Sequence, residues 1–166
     1  LSLREVSIMI KAKIKQTYIG TDAYVSLENI RDVSVLVSGN AYNPGIYTLS
    51  GASNMLHALH SAGGIGDQGS FRNIQLIREG NVIETLDIYD ILINGKFDSK
   101  TRLRTGDMIF VKPRSNVVTL EGAFKRPSKY ELKDDQYLSD AIYYANGLNA
   151  SADLSNIFLY RSKYIF

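Results

Sequence analysis

The feature of this sequence that most constrains its fold is an internal repeat. Residues 33–78 align with residues 116–161 without a gap, at a constant offset of 83 positions. Such a match between glycine, proline and aliphatic positions indicates that one small folding unit is duplicated in the chain. The twelve identical positions are Val35/Val118, Gly39/Gly122, Pro44/Pro127, Tyr47/Tyr130, Leu49/Leu132, Ala58/Ala141, Ala62/Ala145, Gly64/Gly147, Asn73/Asn156, Ile74/Ile157, Leu76/Leu159 and Arg78/Arg161.

The two copies share a pattern of predicted strands. In each, an alternating apolar strand ends at Gly39 or Gly122, and a turn containing proline leads to a short strand around Tyr47 or Tyr130. A helix follows, then a third strand that reads IQLIR in the first copy and IFLYR in the second. The first copy adds the strands VIETLDI and DMIFVKP, so its order is β-β-α-β-β-β. We therefore predict an α+β fold, in which a small mixed sheet packs on one helix.

The helix of each copy has a predicted start and stop. Ser53 or a close neighbour provides the N-cap in the first copy, because short polar side chains accept hydrogen bonds from the free N–H groups of a first turn. Gly64 and Gly147 provide left-handed stops, a backbone conformation that a Cβ atom disfavours.

The second copy is incomplete. It ends at Phe166, which corresponds to Ile83 of the first copy, so its last two strands have no counterpart. Half a module has open strand edges and an uncovered apolar helix face. We expect it to be completed by sequence beyond residue 166, or to be covered by the N-terminal helix or by another chain. Because the chain opens at Leu1 without a methionine, we also expect it to be part of a longer protein.

A helix and a strand precede the repeat. The segment LSLREVSIMIKAKIKQTY has apolar residues at spacings of three and four, which predicts an amphipathic helix. Ser2 and Glu5 have the spacing of a capping box, in which each side chain accepts a hydrogen bond from the other's backbone N–H. The segment AYVSLENI then predicts a strand that ends before Asp32.

The stretch GIGDQG, residues 64–69, matches the pattern G-x-G-x-x-G of dinucleotide-binding loops. In such loops the motif follows a strand and opens a helix, whose N-terminus holds the pyrophosphate. Here the motif closes a helix and runs into a strand, and the second copy reads GLNASA. We therefore predict that Gly64 caps the helix and that Gly66 and Gly69 serve a loop.

Few residues have the pattern of a catalytic or metal site. His57 and His60 are three positions apart on the predicted helix, but the second copy has Asp140 and Tyr143 there, which favours an exposed helix face over a metal site. The chain has no cysteine, and no serine lies in a nucleophile elbow. In LRTGDMIFVKP, a tight turn at Gly106 with Asp107 bonded to local backbone is the expected structure.

Composition excludes some functional classes. The formal net charge is +2, which gives no argument for binding nucleic acid. No apolar run approaches the ~20 residues of a membrane-spanning helix. With 45% hydrophobic and 22% charged residues, the chain has the composition of a soluble globular protein.

The repeat resembles the soluble-ligand-binding β-grasp (SLBB) domain, in the form found in polysaccharide biosynthesis and export proteins. Tandem copies are typical of that family, but the second copy departs from the pattern at Ser128 and Asn146. Residues 1–32 look like the C-terminal part of the family's export domain, residues 33–114 like a first SLBB domain and residues 115–166 like a second, incomplete one. The residues that carry the resemblance are Val35, Val37, Gly39, Pro44, Gly45, Tyr47, Ala62, Gly63, Gly64, Leu103, Gly106, Asp107, Ile109, Val111 and Pro113.

The resemblance implies a non-catalytic role without cofactor or metal. Such proteins are anchored in the outer membrane of Gram-negative bacteria, form closed rings, and conduct capsule or exopolysaccharide chains through the periplasm with a partner in the inner membrane. We expect this segment to form part of the ring wall, with no contact to nucleic acid or to the membrane. We further expect Arg102 and Arg104 to alternate on one strand face and to line a lumen for an acidic polymer.

Two other functions are compatible with the same sequence. The SLBB domain is named for binding soluble ligands, so a sugar or cofactor pocket lined by apolar and tyrosine side chains is the main alternative. A subunit of a redox complex is the second, and it would be accompanied by iron–sulfur cysteines, of which this chain has none.

Overall fold

The computed structural model describes residues 2–26, 31–97, 99 and 101–160. The chain divides into two compact units, residues 1–31 and residues 32–166. The helices are α1 (Leu3–Thr17), α2 (Met55–Ser61), α3 (Ile88–Leu92) and α4 (Leu138–Tyr144). The strands are β1 (Asp32–Gly39), β2 (Gly45–Ser50), β3 (Gly69–Arg78), β4 (Asn81–Leu86), β5 (Met108–Pro113), β6 (Val117–Leu120) and β7 (Ser128–Glu131).

The first unit contains the helix α1, which begins as predicted. The Ser2 hydroxyl accepts a hydrogen bond from the backbone N–H of Glu5, and the Glu5 carboxylate accepts one from the backbone N–H of Ser2 at 2.7 Å. The strand predicted for residues 23–30 is wrong for residues 23–26, and residues 27–30 lie outside the described part of the chain. A strand requires a hydrogen-bonded neighbour, and α1 is the only regular element among the described residues of this unit.

The second unit contains the mixed sheet that the repeat predicts. Five strands lie in the order β2-β1-β5-β3-β4, with β1 and β5 parallel and the other neighbours antiparallel. One face of this sheet packs on α2, whose Met55, Ala58 and Leu59 are buried. We call these strands, with α2 and α3, the first module (residues 32–113). The α+β class is confirmed.

The second module (residues 117–148) repeats the beginning of the first. The strand β6 pairs with β7, and this register places Val118 opposite Tyr130, as β1 places Val35 opposite Tyr47. An isolated bridge joins Phe124 to Leu148, as Ala41 is joined to Ile65 in the first module. Because each of these pairs recurs after 83 positions, the duplication extends to individual hydrogen bonds.

The helices of both modules end in left-handed residues, as predicted, but each stop uses two such residues instead of one. In α2 the left-handed residues are Gly63 and Gly64, and their N–H groups donate to the carbonyls of His60 and Leu59. These two bonds form a Schellman motif, in which the residue just past the cap takes the left-handed conformation. The second module forms the same motif with Asn146 and Gly147. The N-cap of α2 is Asn54, next to the predicted Ser53.

The third strand predicted for the second copy, residues 157–161, is wrong for residues 157–160, and residue 161 lies outside the described part of the chain. Residues 157–160 are in no strand, and their side chains are exposed. In the first module the corresponding strand β3 is held by β5 and β4. Positions 83 residues after β5 lie beyond Phe166, so this segment has no such neighbour within the 166 residues.

Part of the cover over α4 comes from the first module, a source that the sequence analysis did not consider. Tyr89 and Ile93 pack against the cluster of buried apolar residues that includes Ala141, Tyr144 and Ala145. Tyr89 meets Tyr144 edge to face, with ring centroids 5.2 Å apart. This contact covers apolar residues of the second module that its own two-stranded sheet is too small to cover.

Candidate functional site

The contact between the two modules contains a group of buried and partly buried polar side chains, which we call the junction cluster. It comprises Ser70, Arg72, Asp87 and Tyr89 of the first module and Glu131, Gln136 and Tyr144 of the second.

Arg72 is the centre of the junction cluster. It projects from β3, and its Nε and Nη2 atoms donate to the carboxylate of Asp87 at 3.1 and 3.0 Å. Asp87 is also the N-cap of α3, where it accepts a hydrogen bond from the backbone N–H of Tyr89. The Nζ atom of Lys133, from the second module, lies 2.8 Å from the same carboxylate. Asp87 therefore links both modules through two cations.

Residues of the second module contact the other side of the Arg72 guanidinium. Three acceptors lie within 3.3 Å of Nη1 of Arg72: the backbone carbonyl of Glu131, the side-chain carbonyl of Gln136 at 2.6 Å, and the hydroxyl of Tyr144. The guanidinium carbon lies 4.5 Å from the ring centroid of Tyr89 and 5.4 Å from that of Tyr144. Aromatic faces attract a cation at these distances, and more strongly in a desolvated site.

Burial and pairing shift the pKa values of this ion pair. Burial alone would raise the pKa of Asp87, but the hydrogen bonds from Arg72 and Lys133 outweigh it and hold that pKa below its usual range. Burial alone would lower the pKa of Arg72, but its hydrogen bonds to Asp87 and Tyr144 outweigh this effect and raise that pKa above its usual value. Both groups are therefore charged at neutral pH, and neither is poised to transfer a proton.

Glu131 forms a second link between the modules. Its carboxylate accepts hydrogen bonds from the Ser70 hydroxyl at 2.7 Å and from the backbone N–H of Phe71 at 2.8 Å. The backbone N–H of Glu131 in turn donates to the hydroxyl of Tyr89 at 2.9 Å. A buried carboxylate with these partners is satisfied. The cluster thus holds two modules in one orientation.

Sequence reasoning missed the junction cluster, and comparison of the two copies does not locate it. The positions corresponding to Arg72 and Glu131 in the other copy are Ser155 and Thr48, which are small and uncharged. Exposed charges such as Lys125 and Lys129 also have uncharged counterparts in the other copy, Tyr42 and Ile46, so this difference alone does not locate the junction.

Asp107 has the local role that the sequence predicts. It is buried, it accepts a hydrogen bond from the backbone N–H of Arg104 at 2.7 Å, and Gly106 beside it has a φ of +91°. Arg78 adds a bidentate ion pair with oxygen distances of 2.7 and 2.8 Å. Burial would raise the pKa of Asp107, and the bonds from Arg78 and Arg104 lower it instead.

Arg102 and Arg104 do not lie on a strand, which corrects that part of the prediction. They belong to the segment before the turn that leads into β5, and they are exposed on either side of the buried Leu103. Exposed and buried side chains therefore alternate here as in a strand, but the segment does not pair with a strand. The backbone N–H of Leu103 instead donates to the backbone carbonyl of Ser53. The Arg102 guanidinium donates to the backbone carbonyl of Ala52.

The glycine-rich stretch after α2 has a packing role. A Cβ atom at Gly69 would lie 2.5 Å from the carbonyl oxygen of Asn40, and one at Gly66 would lie 3.0 Å from the same oxygen. These glycines allow the segment to approach the end of β1 closely. The loop prediction holds for Gly66 and is wrong for Gly69, which begins β3 and pairs with Pro113.

The two histidines are exposed on α2. His57 completes the N-terminal cap, where its Nδ1 atom accepts a hydrogen bond from the backbone N–H of Asn54 at 3.2 Å. In the part of the chain that the structure describes, no group of three or more histidine, aspartate or glutamate side chains is arranged to hold a metal ion. In the same part, no helix is both long and apolar enough to cross a membrane.

An open cleft of about 230 Å³ lies beside the junction cluster, where α3 and α4 meet. Its lining combines two tyrosines, two aliphatic residues and two polar residues. The lining residues are Leu92, Ile93, Arg126, Tyr143, Tyr144 and Asn146.

Comparison with known proteins agrees with this architecture. Two family models, each described as the SLBB domain, match residues 33–111 and residues 117–163. Two curated relatives, both the polysialic acid transport protein KpsD of Escherichia coli, are 29% identical over 136 residues, which cover 81% of this chain and 24% of each relative. The chain thus spans about a quarter of the length of these relatives. Together, the tandem domains and the relatives show that the chain belongs to the polysaccharide export family with SLBB domains in tandem.

Proposed function

We propose that this chain is a non-catalytic segment of an outer-membrane polysaccharide export protein, and that its SLBB modules form part of the wall of an oligomeric channel in the periplasm. The observation that carries the proposal is the junction cluster, which joins two small modules through buried hydrogen bonds and the ion pair of Asp87 with Lys133. A wall needs such fixed angles between its parts, because copies close into a ring only when each repeats the same rotation.

Similarity to the KpsD protein supports the choice of cargo and compartment. That relative is named for the transport of polysialic acid, an acidic polysaccharide. In our proposal this chain likewise contacts an acidic polymer, assembles with copies of itself, and works with an export partner in the inner membrane.

Arg102 and Arg104 are the proposed contacts to the polymer. Both are exposed, and they lie on either side of a buried leucine, so that two positive charges project from one short segment. Weak, repeated attraction of this kind suits a wall along which a polyanion moves, because binding must also be released.

The test uses the complete exporter that contains this segment, expressed in a Gram-negative strain deleted for it. Surface polysaccharide is measured with the Arg102→Glu and Arg104→Glu double variant, and with Lys129→Glu as a control that reverses an exposed charge on β7. We expect a several-fold loss of surface polymer and its accumulation in the periplasm for the double variant alone. Unchanged export by the double variant refutes the contact, and full export without the segment refutes the wall.

The cleft between α3 and α4 favours a second candidate, the binding of a small sugar. Tyr143 offers an aromatic face and Arg126 offers hydrogen-bond donors, a combination found in small-molecule sites. Titration of the isotope-labelled chain with a sialic acid monosaccharide, followed by NMR, tests this function. Shifts confined to the cleft and abolished by Tyr143→Ala support it, whereas an unperturbed spectrum rejects it.

A further inference from the structure

The face of the five-stranded sheet that points away from α2 has an uninterrupted apolar row. Ile46 on β2 lies opposite Leu36 on β1, and Leu36 lies beside Met108 on β5. Met108 pairs with Ile77 on β3, and Ile77 pairs with Val82 on β4. One apolar residue from each strand is thus in register across the whole sheet.

The row is exposed to solvent on the two edge strands, β2 and β4, and on β1. The side chains of Ile46, Val82 and Leu36 are 76%, 52% and 40% exposed. The alternate residues Val35, Val37 and Ile109 point to α2 and are fully buried, so the row is not part of the core of the first module. Contiguous apolar surface of this kind marks an interaction site more often than a free surface.

The same face has few charges. The five strands are described in full, and the charged residues that alternate to this face are Asp32 and Lys112. The other positions around the row are serine, threonine, asparagine, glutamine and phenylalanine. Interface cores are depleted of charge in this way, whereas an ordinary surface of a chain that is 22% charged is not.

The two charges lie at opposite ends of the face. β1 and β5 run parallel, with Leu36 beside Met108, so Asp32 is near the start of this pair and Lys112 near its end. If two copies meet face to face with antiparallel strands, Asp32 of each copy faces Lys112 of the other. If their strands run parallel, like charges meet instead.

The size of the face is also suitable. Five strands have four spacings of about 4.8 Å, or roughly 19 Å, and six residues extend about 20 Å, which gives on the order of 400 Å² in projection. Stable interfaces begin at about 600 Å² of accessible surface per partner, and a surface with projecting side chains has more accessible area than its projection.

We propose that this face is the docking surface for a second copy of this chain, and that the two sheets pack face to face with antiparallel strands. The contact is isologous, so it produces a dimer by itself. It goes beyond the proposed function, since a ring requires a separate head-to-tail contact, and it does not depend on a polysaccharide.

The mass of the purified 166-residue chain is measured by sedimentation velocity and multi-angle light scattering over a range of concentrations. We expect a dimer, and we expect Ile46→Glu and Leu36→Glu to raise its dissociation constant by about tenfold or more each. Leu154→Glu, at an exposed leucine in the irregular segment after α4, is the matched control and retains the dimer. Circular dichroism checks that each variant is folded.

A charge exchange tests the orientation. Asp32→Lys and Lys112→Asp each place like charges together and weaken the dimer, and the double variant restores it to within about twofold of the original. A monomeric chain at ~100 μM, or a dimer indifferent to Ile46→Glu, overturns the proposal. Unchanged polymer export by the Arg102→Glu and Arg104→Glu double variant, together with an intact dimer, instead refutes only the function proposed above.

Discussion

The carboxylate of Glu131, on β7, accepts a 2.7 Å hydrogen bond from the hydroxyl of Ser70, on β3, and both residues are buried. They are 61 positions apart and belong to different modules. The other carboxylate oxygen accepts the backbone N–H of Phe71. Because these bonds have strict geometry, they fix how the second module lies on the first.

Glu131→Gln is expected to destabilise the chain by about 1–3 kcal/mol, since an amide group places an N–H donor where Ser70 or Phe71 also donates. Chemical denaturation monitored by tyrosine fluorescence measures this loss. Glu121→Gln removes the same charge at an exposed position and is expected to change stability by less than ~0.5 kcal/mol. Equal effects of the two substitutions would contradict the role of the junction.

Arg72→Met is expected to cost about 3 kcal/mol, because it removes the buried cation from the Asp87 carboxylate and leaves only the half-exposed Lys133 as a partner. Combining it with Asp87→Asn removes this weakly paired charge, so the double variant should be more stable than the sum of the single changes predicts. Equilibrium unfolding of the four proteins gives the coupling. Strict additivity would show that Arg72 and Asp87 are not energetically coupled. Arg126→Met, at an exposed arginine, is the control.

Stability is expected to fall in acid because of two carboxyl groups. The folded-state pKa values of Asp87 and Asp107 are both lowered by their hydrogen-bonded cations, against the effect of burial. Below the unfolded pKa of about 3.9, the unfolded chain binds these protons more readily than the folded chain. The free energy of unfolding should therefore be level from about pH 5 to 7 and decrease below about pH 4. Asp107→Asn should flatten this decrease, and an unchanged slope would argue against the assignment.

The repeat predicted much of the fold because it records local requirements. Val35 and Val118 pair with the equivalent residues Tyr47 and Tyr130, so alignment of the copies transfers this pairing from one to the other. The third strand of the second copy failed for the opposite reason. Ile157 and Leu159 match the buried Ile74 and Leu76, but their strand depends on neighbours far along the chain.

The junction could not be predicted by the same reasoning. Arg72 and Glu131 contact each other's modules, and the contact is not repeated, so neither copy informs on the other. Arg102 and Arg104 were expected on a strand, but the structure places them in an irregular segment. The segment forms no ladder although its apolar alternation is that of a strand.

Gly69→Ala is expected to destabilise the first module by about 1–3 kcal/mol, because the new Cβ would lie 2.5 Å from the backbone oxygen of Asn40 and 2.4 Å from the Ile65 side chain. Gly45→Ala is the control, since its Cβ would approach nothing closer than 3.8 Å. Thermal unfolding compares the two. Similar melting temperatures for both variants would show that the chain near Gly69 relaxes freely.

The two helix stops predict opposite effects for a pair of reciprocal substitutions. Asn146 holds a φ of +61° that glycine adopts without strain, so Asn146→Gly is expected to stabilise the second module by up to about 1 kcal/mol. Gly63 occupies the same position in the first module, with a φ of +76°, and a Cβ there would lie 3.0 Å from the ring of Tyr42. Gly63→Asn should therefore destabilise by at least as much. Urea denaturation of both variants measures the signs, and two changes of the same sign would refute the equivalence of the two stops.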